Sequence, residues 1–218
     1  MIFNNKRVAF IGPAEHTSTL YQKEKIEGYD VVVRLNLCYP INDKVKEMTG
    51  DRIDVLFCGG GIFCSYDGKF DFGEVGQIRV LLKYLIGSHY LNNSEYLRKV
   101  YKKVVITNSI AYWSMRERLG SQPTMGMVAI TDILYEKPKE LYITGMTFYQ
   151  TPYFDGYYGD KGIKRNEARD CRAHIRKNDK PVCQKSHHPA NELRYFIDNY
   201  YCLNSVSCDS VLEEIVNG

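Results

Sequence analysis

The chain predicts an α/β fold: a mostly parallel sheet with helices on both faces, in one domain spanning residues 1–218. Two observations lead there. Short β-rich runs alternate with stretches of helical period along most of the length, the order expected when strands are joined by crossover helices. The 218 residues, 44% of them hydrophobic, are enough for one sizeable core, and no internal repeat, low-complexity tract or linker divides them.

In order, "KRVAFIG" is a first strand ending at Gly12, and "TLYQKEKIEG" a polar helix closed by Gly28, as a helix C-terminus prefers. "DVVVRL" is the second strand, "INDKVKEMTG" a short helix and "RIDVLFC" the third strand. "EVGQIRVLLKYLIG" carries apolar residues at helical spacing, and "SEYLRKVYKK" is a further helix leading into the strand "VVITN". Helices follow at "IAYWSMRERLG" and after "SQPT", then the strand "ELYITG". The stretch from Met146 to about Lys185 is rich in Tyr, Gly and charge, with little periodicity, and reads as a long functional loop. "PANELRYFIDNYYC" and "SVLEEIV" close the chain as helices.

Composition narrows the class. A net charge of +3 suits a small anionic ligand and is too weak to argue for nucleic acid. Eighteen tyrosines against one tryptophan offer flat faces and hydroxyls, suited to sugars or bases as well as to the edges of a core. The seven cysteines are odd in number and irregularly spaced, as in a reduced protein. The chain enters a strand without a charged-then-apolar leader, and its apolar runs fall short of a membrane span. The expectation is a soluble cytoplasmic protein without a transmembrane segment, with peripheral membrane attachment left open.

Four stretches have the residue types for chemistry. In "FIGPAE" a strand runs into Gly12, Pro13 and Ala14, where glycine lets a ligand approach the backbone and proline removes a donor. A plain turn explains it equally well. In "IEGYDVVVRLN", Arg34 and Asn36 share one face of a strand end, while Val33 and Leu35 share the other. Ligands of open α/β sheets lie outside the carboxyl ends of the strands, so these side chains face either a ligand or a structural partner. In "QPTMGMVAITDILYE", Thr124 is a helix N-cap, and the first-turn amides of Met125 and Gly126 suit an anion. In "SHHPANELRYF", His187 and His188 precede a helix containing Glu192, and a histidine is the most available general base for a hydroxyl. A competing reading takes Cys171, His174, Cys183 and His187 as a tetrahedral zinc site, although their gaps match no familiar finger.

Taken in order, these stretches resemble the sialyltransferase family of glycosyltransferases, in its short, anchorless microbial and viral form. The long motif of that family reads here as "IGPAEHTSTLYQKEKIEGYDVVVRLN" followed by "TGDRIDVLF". The short motif reads "PTMGMVAITDILYEKPKELYITGMTFY", and the final motif, a histidine, four residues and a glutamate, is His187 to Glu192. Three features depart from the family. The disulfide of its Golgi members has no counterpart, Pro13 stands where an asparagine is usual, and Gly156 stands where the aromatic motif begins with histidine.

The resemblance implies a Rossmann-like, GT-A-like domain that moves a 2-keto sugar acid from its CMP-activated form to a glycan or glycolipid hydroxyl. Inversion is implied, with no cofactor and no obligatory metal. Gly12, Pro13, Ala14 and Asn36 would hold the nucleotide with Thr124, Met125 and Gly126, and Gly145 and Met146 would lie along the cytosine. Tyr157 or Tyr158 would donate to the departing phosphate. His187 would be the base, His188 its rival, and Glu192 would orient the histidine or its helix. Arg34 would brace the loop through an ion pair, and Asp54 would give structural support. A CMP-Kdo transferase of the same fold and a catalytically idle nucleotide or glycan binder are the alternatives.

Overall fold

A computed structural model describes residues 1–36, 38, 41–59, 75–81, 104–107, 109–157 and 187–218. Seven strands form one sheet: β1 (Arg7–Ile11), β2 (Val31–Leu35), β3 (Val55–Gly59), β4 (Gln77–Leu81), β5 (Val104–Ile106), β6 (Glu140–Thr144) and β7 (Val206–Cys208). Their order is β5-β4-β3-β2-β1-β6-β7, and every neighbouring pair is parallel. The chain lays strands outward from β1 as far as β5, then returns to place β6 on the other side of β1. The order therefore reverses between β1 and β6, and the crevice outside that point is where such sheets bind ligands.

The described helices are α1 (Lys23–Glu27), α2 (Asp43–Thr49), α3 (Ser109–Leu119), α4 (Met125–Tyr135), α5 (Pro189–Phe196) and α6 (Ser210–Asn217), with a 3-10 turn at Glu15–Ser18. A wider π-type turn, Ile197–Tyr201, continues α5. Successive strand residues point to opposite faces, and both faces are buried. Val8, Phe10, Val33, Leu35, Phe57, Leu141 and Ile143 pack beneath Met127, Ile130 and Ile133 of α4, with Phe196 and Leu212. On the other face Ala9, Ile11, Val32 and Tyr142 pack with Ile26 of α1 and Tyr29. Among the described residues no helix is long and apolar enough to cross a membrane.

Two expectations need correction. Within "EVGQIRVLLKYLIG", residues 77–81 form β4 rather than a helix, pairing Leu56 with Ile78 and Ile78 with Val104. A short apolar run fits both periods, and tertiary pairing decides. Gly76 presses so closely on β3 that a Cβ there would stand 2.5 Å from the Asp54 carbonyl oxygen. Arg79 then reaches from β4 to Asp132 (2.5 Å) and Glu136 (2.6 Å) on α4. The strand β7 was not foreseen; three residues offer too little pattern, and β6 supplies the template through Leu141↔Val206 and Ile143↔Cys208. The helix expected at "SEYLRKVYKK" lies outside the described residues.

Arg34 is fully buried, yet among the described residues its guanidinium bonds to carbonyls and a hydroxyl instead of carboxylates. Its guanidinium donates to the carbonyls of Arg52 (3.2 Å), Thr49 (3.1 Å) and Gly50 (2.8 Å) and to Thr49 Oγ1 (3.2 Å). It braces the α2–β3 connection as expected, but through carbonyl dipoles instead of the expected ion pair. Burial pushes its guanidinium down to about 10, which leaves it protonated at neutral pH. Asp54, just before β3, ties that strand to the start of β2, accepting from Val32 N (2.7 Å) and pairing with Arg52 (2.8 Å). Replacing Arg34 by methionine strands four buried acceptors, so urea unfolding of that variant is expected to show a loss of about 3 kcal/mol or more. A loss below about 0.5 kcal/mol would contradict this account of the brace.

Candidate active site

The carboxyl ends of β1, β2, β3 and β6 meet the starts of α4 and α5. At the reversal point two backbones are in contact. Gly12 N donates to Thr144 O (2.8 Å) and Ala14 N to Gly145 O (3.0 Å). A Cβ on Gly12 would lie 2.2 Å from Gly145 O, and one on Gly145 would lie 2.4 Å from Gly12 O. Gly145 also has φ +72°, a conformation that glycine adopts without penalty. Both residues are glycine because no side chain fits.

Gly12, Pro13 and Ala14 do reach the crevice, but with their hydrogen-bond donors consumed. Glu15 N goes to Pro152 O (2.9 Å), Pro13 has no N–H, and Pro13 O accepts from Phe154 N (3.0 Å). This turn contributes shape and close backbone approach rather than amide donors.

Asn36 follows β2 with φ +43°, a left-handed conformation that asparagine tolerates better than most residues. Its backbone N–H donates to Phe57 O (2.7 Å), and its Oδ1 accepts from Gly59 N (2.9 Å) at the end of β3. Because that neighbour is a donor, the oxygen must face it, and the side-chain NH2 turns away from β3. Met125 closes the same corner: a Cβ on Gly59 would stand 3.8 Å from both Asn36 Oδ1 and Met125 Cε.

The start of α4 is held from two sides. Thr124 caps it, accepting from Met127 N (3.4 Å). Glu192, 1% exposed, grips the cap: Oε1 accepts from Thr124 N (2.8 Å) and Oε2 from Thr124 Oγ1 (2.7 Å). With Thr124 N and Met127 N thus engaged, the amides of Met125 and Gly126 remain as the first-turn donors of the helix. Gly126 packs against Met146 and Leu35, where an added Cβ would stand 3.4 Å from Met146 Sδ and 3.7 Å from Leu35 Cδ1. Glu192 therefore orients a helix start, and that helix is α4 rather than its own.

The two histidines separate by what their rings are bonded to. His187 Nδ1 lies 2.8 Å from Gln122 O; a carbonyl only accepts, so the proton sits on Nδ1 and the neutral ring keeps its basic lone pair on Nε2. His188 is the N-cap of α5, with Nδ1 accepting from Asn191 N (3.3 Å), so its neutral ring holds the proton on Nε2 and its lone pair is already used. The two rings therefore differ in tautomer, with Nδ1 as the donor in His187 and as the acceptor in His188. Asn191 Nδ2 donates to Leu119 O (2.9 Å), completing the attachment of this segment to the α3–α4 connection.

Tyr157 is 4% exposed and packs edge-on against Phe154, their ring centroids 5.4 Å apart. Tyr158 lies outside the described residues, as do Cys171, His174 and Cys183 of the zinc reading. Two other tyrosines, not singled out from sequence, continue a row of rings that begins at His187. The Tyr149 ring lies 6.5 Å from the His187 ring at 24°, and Tyr153 lies 6.1 Å from Tyr149. Phe148 and Tyr149 both have positive φ, 49° and 61°, and such non-glycine outliers concentrate at ligand sites. The signal for Tyr149 was its place just past a strand end; Tyr153 had none.

Beneath the reversal point lies a buried polar network that sequence reasoning also missed. Asp209 Oδ2 accepts from His16 Nε2 (2.8 Å), Thr144 Oγ1 (2.5 Å) and Gly145 N (3.1 Å), while Oδ1 caps α6 through Leu212 N (2.7 Å). Gln22 Nε2 extends the network to Thr144 Oγ1 (3.0 Å), and Tyr142 donates to Gln22 Oε1. Burial alone would raise the Asp209 carboxyl, but the bonds from His16, Thr144 and Leu212 outweigh it and hold the group below its ordinary 3.8. A carboxyl depressed by folding stabilises the native state above the unfolded value, and that contribution is lost as pH falls through the folded value. Wild-type stability is therefore expected to fall below about pH 4 more steeply than that of Asp209→Asn, measured by urea unfolding across pH 2–6. Equal slopes would contradict the assignment.

No family sequence model and no curated protein matches the chain, but solved structures do. Cst-I, a monofunctional α-2,3-sialyltransferase from Campylobacter jejuni, superposes with a TM-score of 0.59 over 98% of this chain and 82% of its own, at 13% identity. Sialyltransferase Cst-II in complex with a trisaccharide acceptor and CMP gives 0.57 over 96% and 85%, at 13% identity. A mammalian sialyltransferase in complex with Gal-β-1-3GalNAc-ortho-nitrophenol gives 0.57 over 94% and 69%, at 13% identity. At these identities the likeness establishes architecture: the chain has the sialyltransferase fold.

Proposed function

We propose that residues 1–218 form one glycosyltransferase domain that moves a 2-keto sugar acid, sialic acid or a relative, from its CMP-activated form to a glycan hydroxyl. One observation carries this reading. A histidine with its Nδ1 proton committed to Gln122 O stands on the segment that also grips the N-terminus of α4, beside the reversal point of a sialyltransferase fold. A base and a phosphate-suited helix start are thereby fixed to each other.

The chemistry follows from those residues. His187 Nε2 takes the proton of the acceptor hydroxyl as that oxygen bonds to the anomeric carbon. The bond from that carbon to the phosphate oxygen breaks, and CMP leaves with the electron pair. Attack from the face opposite the phosphate inverts the centre. The leaving group is a monophosphate, so two helix amides, Met125 and Gly126, with the Asn36 NH2 can stabilise its charge without a metal. Tyr149, whose ring stacks on that of His187, is better placed to meet the departing phosphate than the buried Tyr157. The Cst-II structure with CMP and a trisaccharide supports a nucleotide donor and a glycan acceptor for this chain. Cys38, Cys58, Cys202 and Cys208 are free thiols, which suits a reducing compartment such as the cytoplasm.

The test is CMP release from CMP-sialic acid and CMP-Kdo, with and without a mixed oligosaccharide pool, in EDTA. Acceptor-stimulated release is expected to persist in EDTA. His187→Ala is expected to lower kcat by about 100-fold or more with little change in KM. His188→Ala is expected to keep kcat within about threefold while losing about 1 kcal/mol of stability as a cap. CMP binding without turnover would favour an idle binder, and loss of activity in EDTA would overturn metal independence.

A further inference from the structure

The most heavily bonded carboxylate outside the proposed chemistry is Asp209, and its partner His16 is buried to 9% exposure. Three donors converge on Asp209 Oδ2, from His16, Thr144 and Gly145, across 193 residues of sequence in the case of His16. Gly145 N also lies 3.2 Å from His16 Nε2. An ionised carboxylate only accepts, so the neutral His16 ring carries its proton on Nε2 and directs it to Asp209. Nδ1 is then a bare lone pair, and it is buried without a hydrogen-bond partner among the described residues. Leaving a buried acceptor unsatisfied costs free energy, so the ring is retained for what Nε2 does.

What Nε2 does is aim a carboxylate at one backbone amide. Gly145 is the residue whose contact with Gly12 forms the reversal point, and the next residue, Met146, packs on Gly126 at the start of α4. Any rotation of the Gly145 peptide moves Met146 across the helix start proposed to hold the donor phosphate. We propose that His16 and Asp209 are positioning residues that lock the Gly145 peptide, and through Met146 the nucleotide-facing end of α4. Neither is a catalytic residue; the inference rests on the function proposed above for its ligand but not for its geometry.

The test uses the full chain as wild type, His16→Ala and His16→Gln. Glutamine can present a side-chain N–H near the position of Nε2 while carrying no second ring nitrogen to bury. Backbone amide exchange by NMR is read at Gly145 against Val8 and Ile143 inside the sheet, and CMP affinity is read by calorimetry. His16→Ala is expected to speed exchange at Gly145 by about tenfold relative to the sheet amides and to weaken CMP by a similar factor. His16→Gln is expected to return both to within about threefold of wild type. Uniformly faster exchange across the sheet with no rescue by glutamine would show a merely structural histidine and overturn the proposal. Wild-type exchange at Gly145 in His16→Ala would overturn it too. If wild type binds no CMP, the nucleotide reading falls, and the exchange arm alone decides the lock.

Discussion

Much of this molecule depends on the contact between Gly12 and Gly145. Each backbone occupies the space where the other residue's Cβ would be, and two hydrogen bonds, Gly12 N to Thr144 O and Ala14 N to Gly145 O, hold them there. The contact extends the β1–β6 pairing past the strand ends, where parallel sheets ordinarily splay. It fixes where the chain can turn and so where the crevice opens. Everything proposed to touch a ligand is measured from it: Met146 follows Gly145, Gly126 rests on Met146, and Thr124 sets the helix that carries Gly126.

Around that contact the structure repeats one device, a buried or half-buried polar side chain spent on fixing another backbone. Arg34 fixes the carbonyls of 49, 50 and 52; Glu192 fixes the amide of Thr124; Asp209 fixes the amides of Gly145 and Leu212; Asn36 fixes Gly59 N. Buried polar groups without partners are costly, so each arrangement is tolerated only in one geometry. The result is a set of strand and helix ends each held by side-chain hydrogen bonds. The two adjacent histidines show the same economy: in each, Nδ1 serves structure, donating to Gln122 O in His187 and accepting from Asn191 N in His188.

The sequence made most of this legible where the pattern was local. Strands such as "DVVVRL", the Thr124 cap and the helix that begins at Pro189 are short-range signals, and all fell where expected. The β4 segment misled because Ile78, Val80 and Leu81 satisfy helical and extended periods alike, and only its neighbours β3 and β5 decide. The Arg34 ion pair was inferred from charge, whereas three carbonyls and a hydroxyl do the work instead. His16, Asp209 and Tyr153 were invisible because their meaning is tertiary: 193 residues separate the first two, and nothing near either one announces the other. Two histidines side by side could be told apart only once their partners, a carbonyl that accepts from His187 and an amide that donates to His188, were known.

The central claim is that a nucleotide sits at the reversal point, against α4 and Asn36. Titrating isotopically labelled protein with CMP and following amide resonances tests it most directly. The account predicts that the largest changes fall on the backbone amides of Met125 and Gly126 and on the Asn36 side-chain NH2. Saturable changes centred elsewhere, for example on Arg7 and Tyr29 at the amino ends of β1 and β2, would contradict it, as would no change at all.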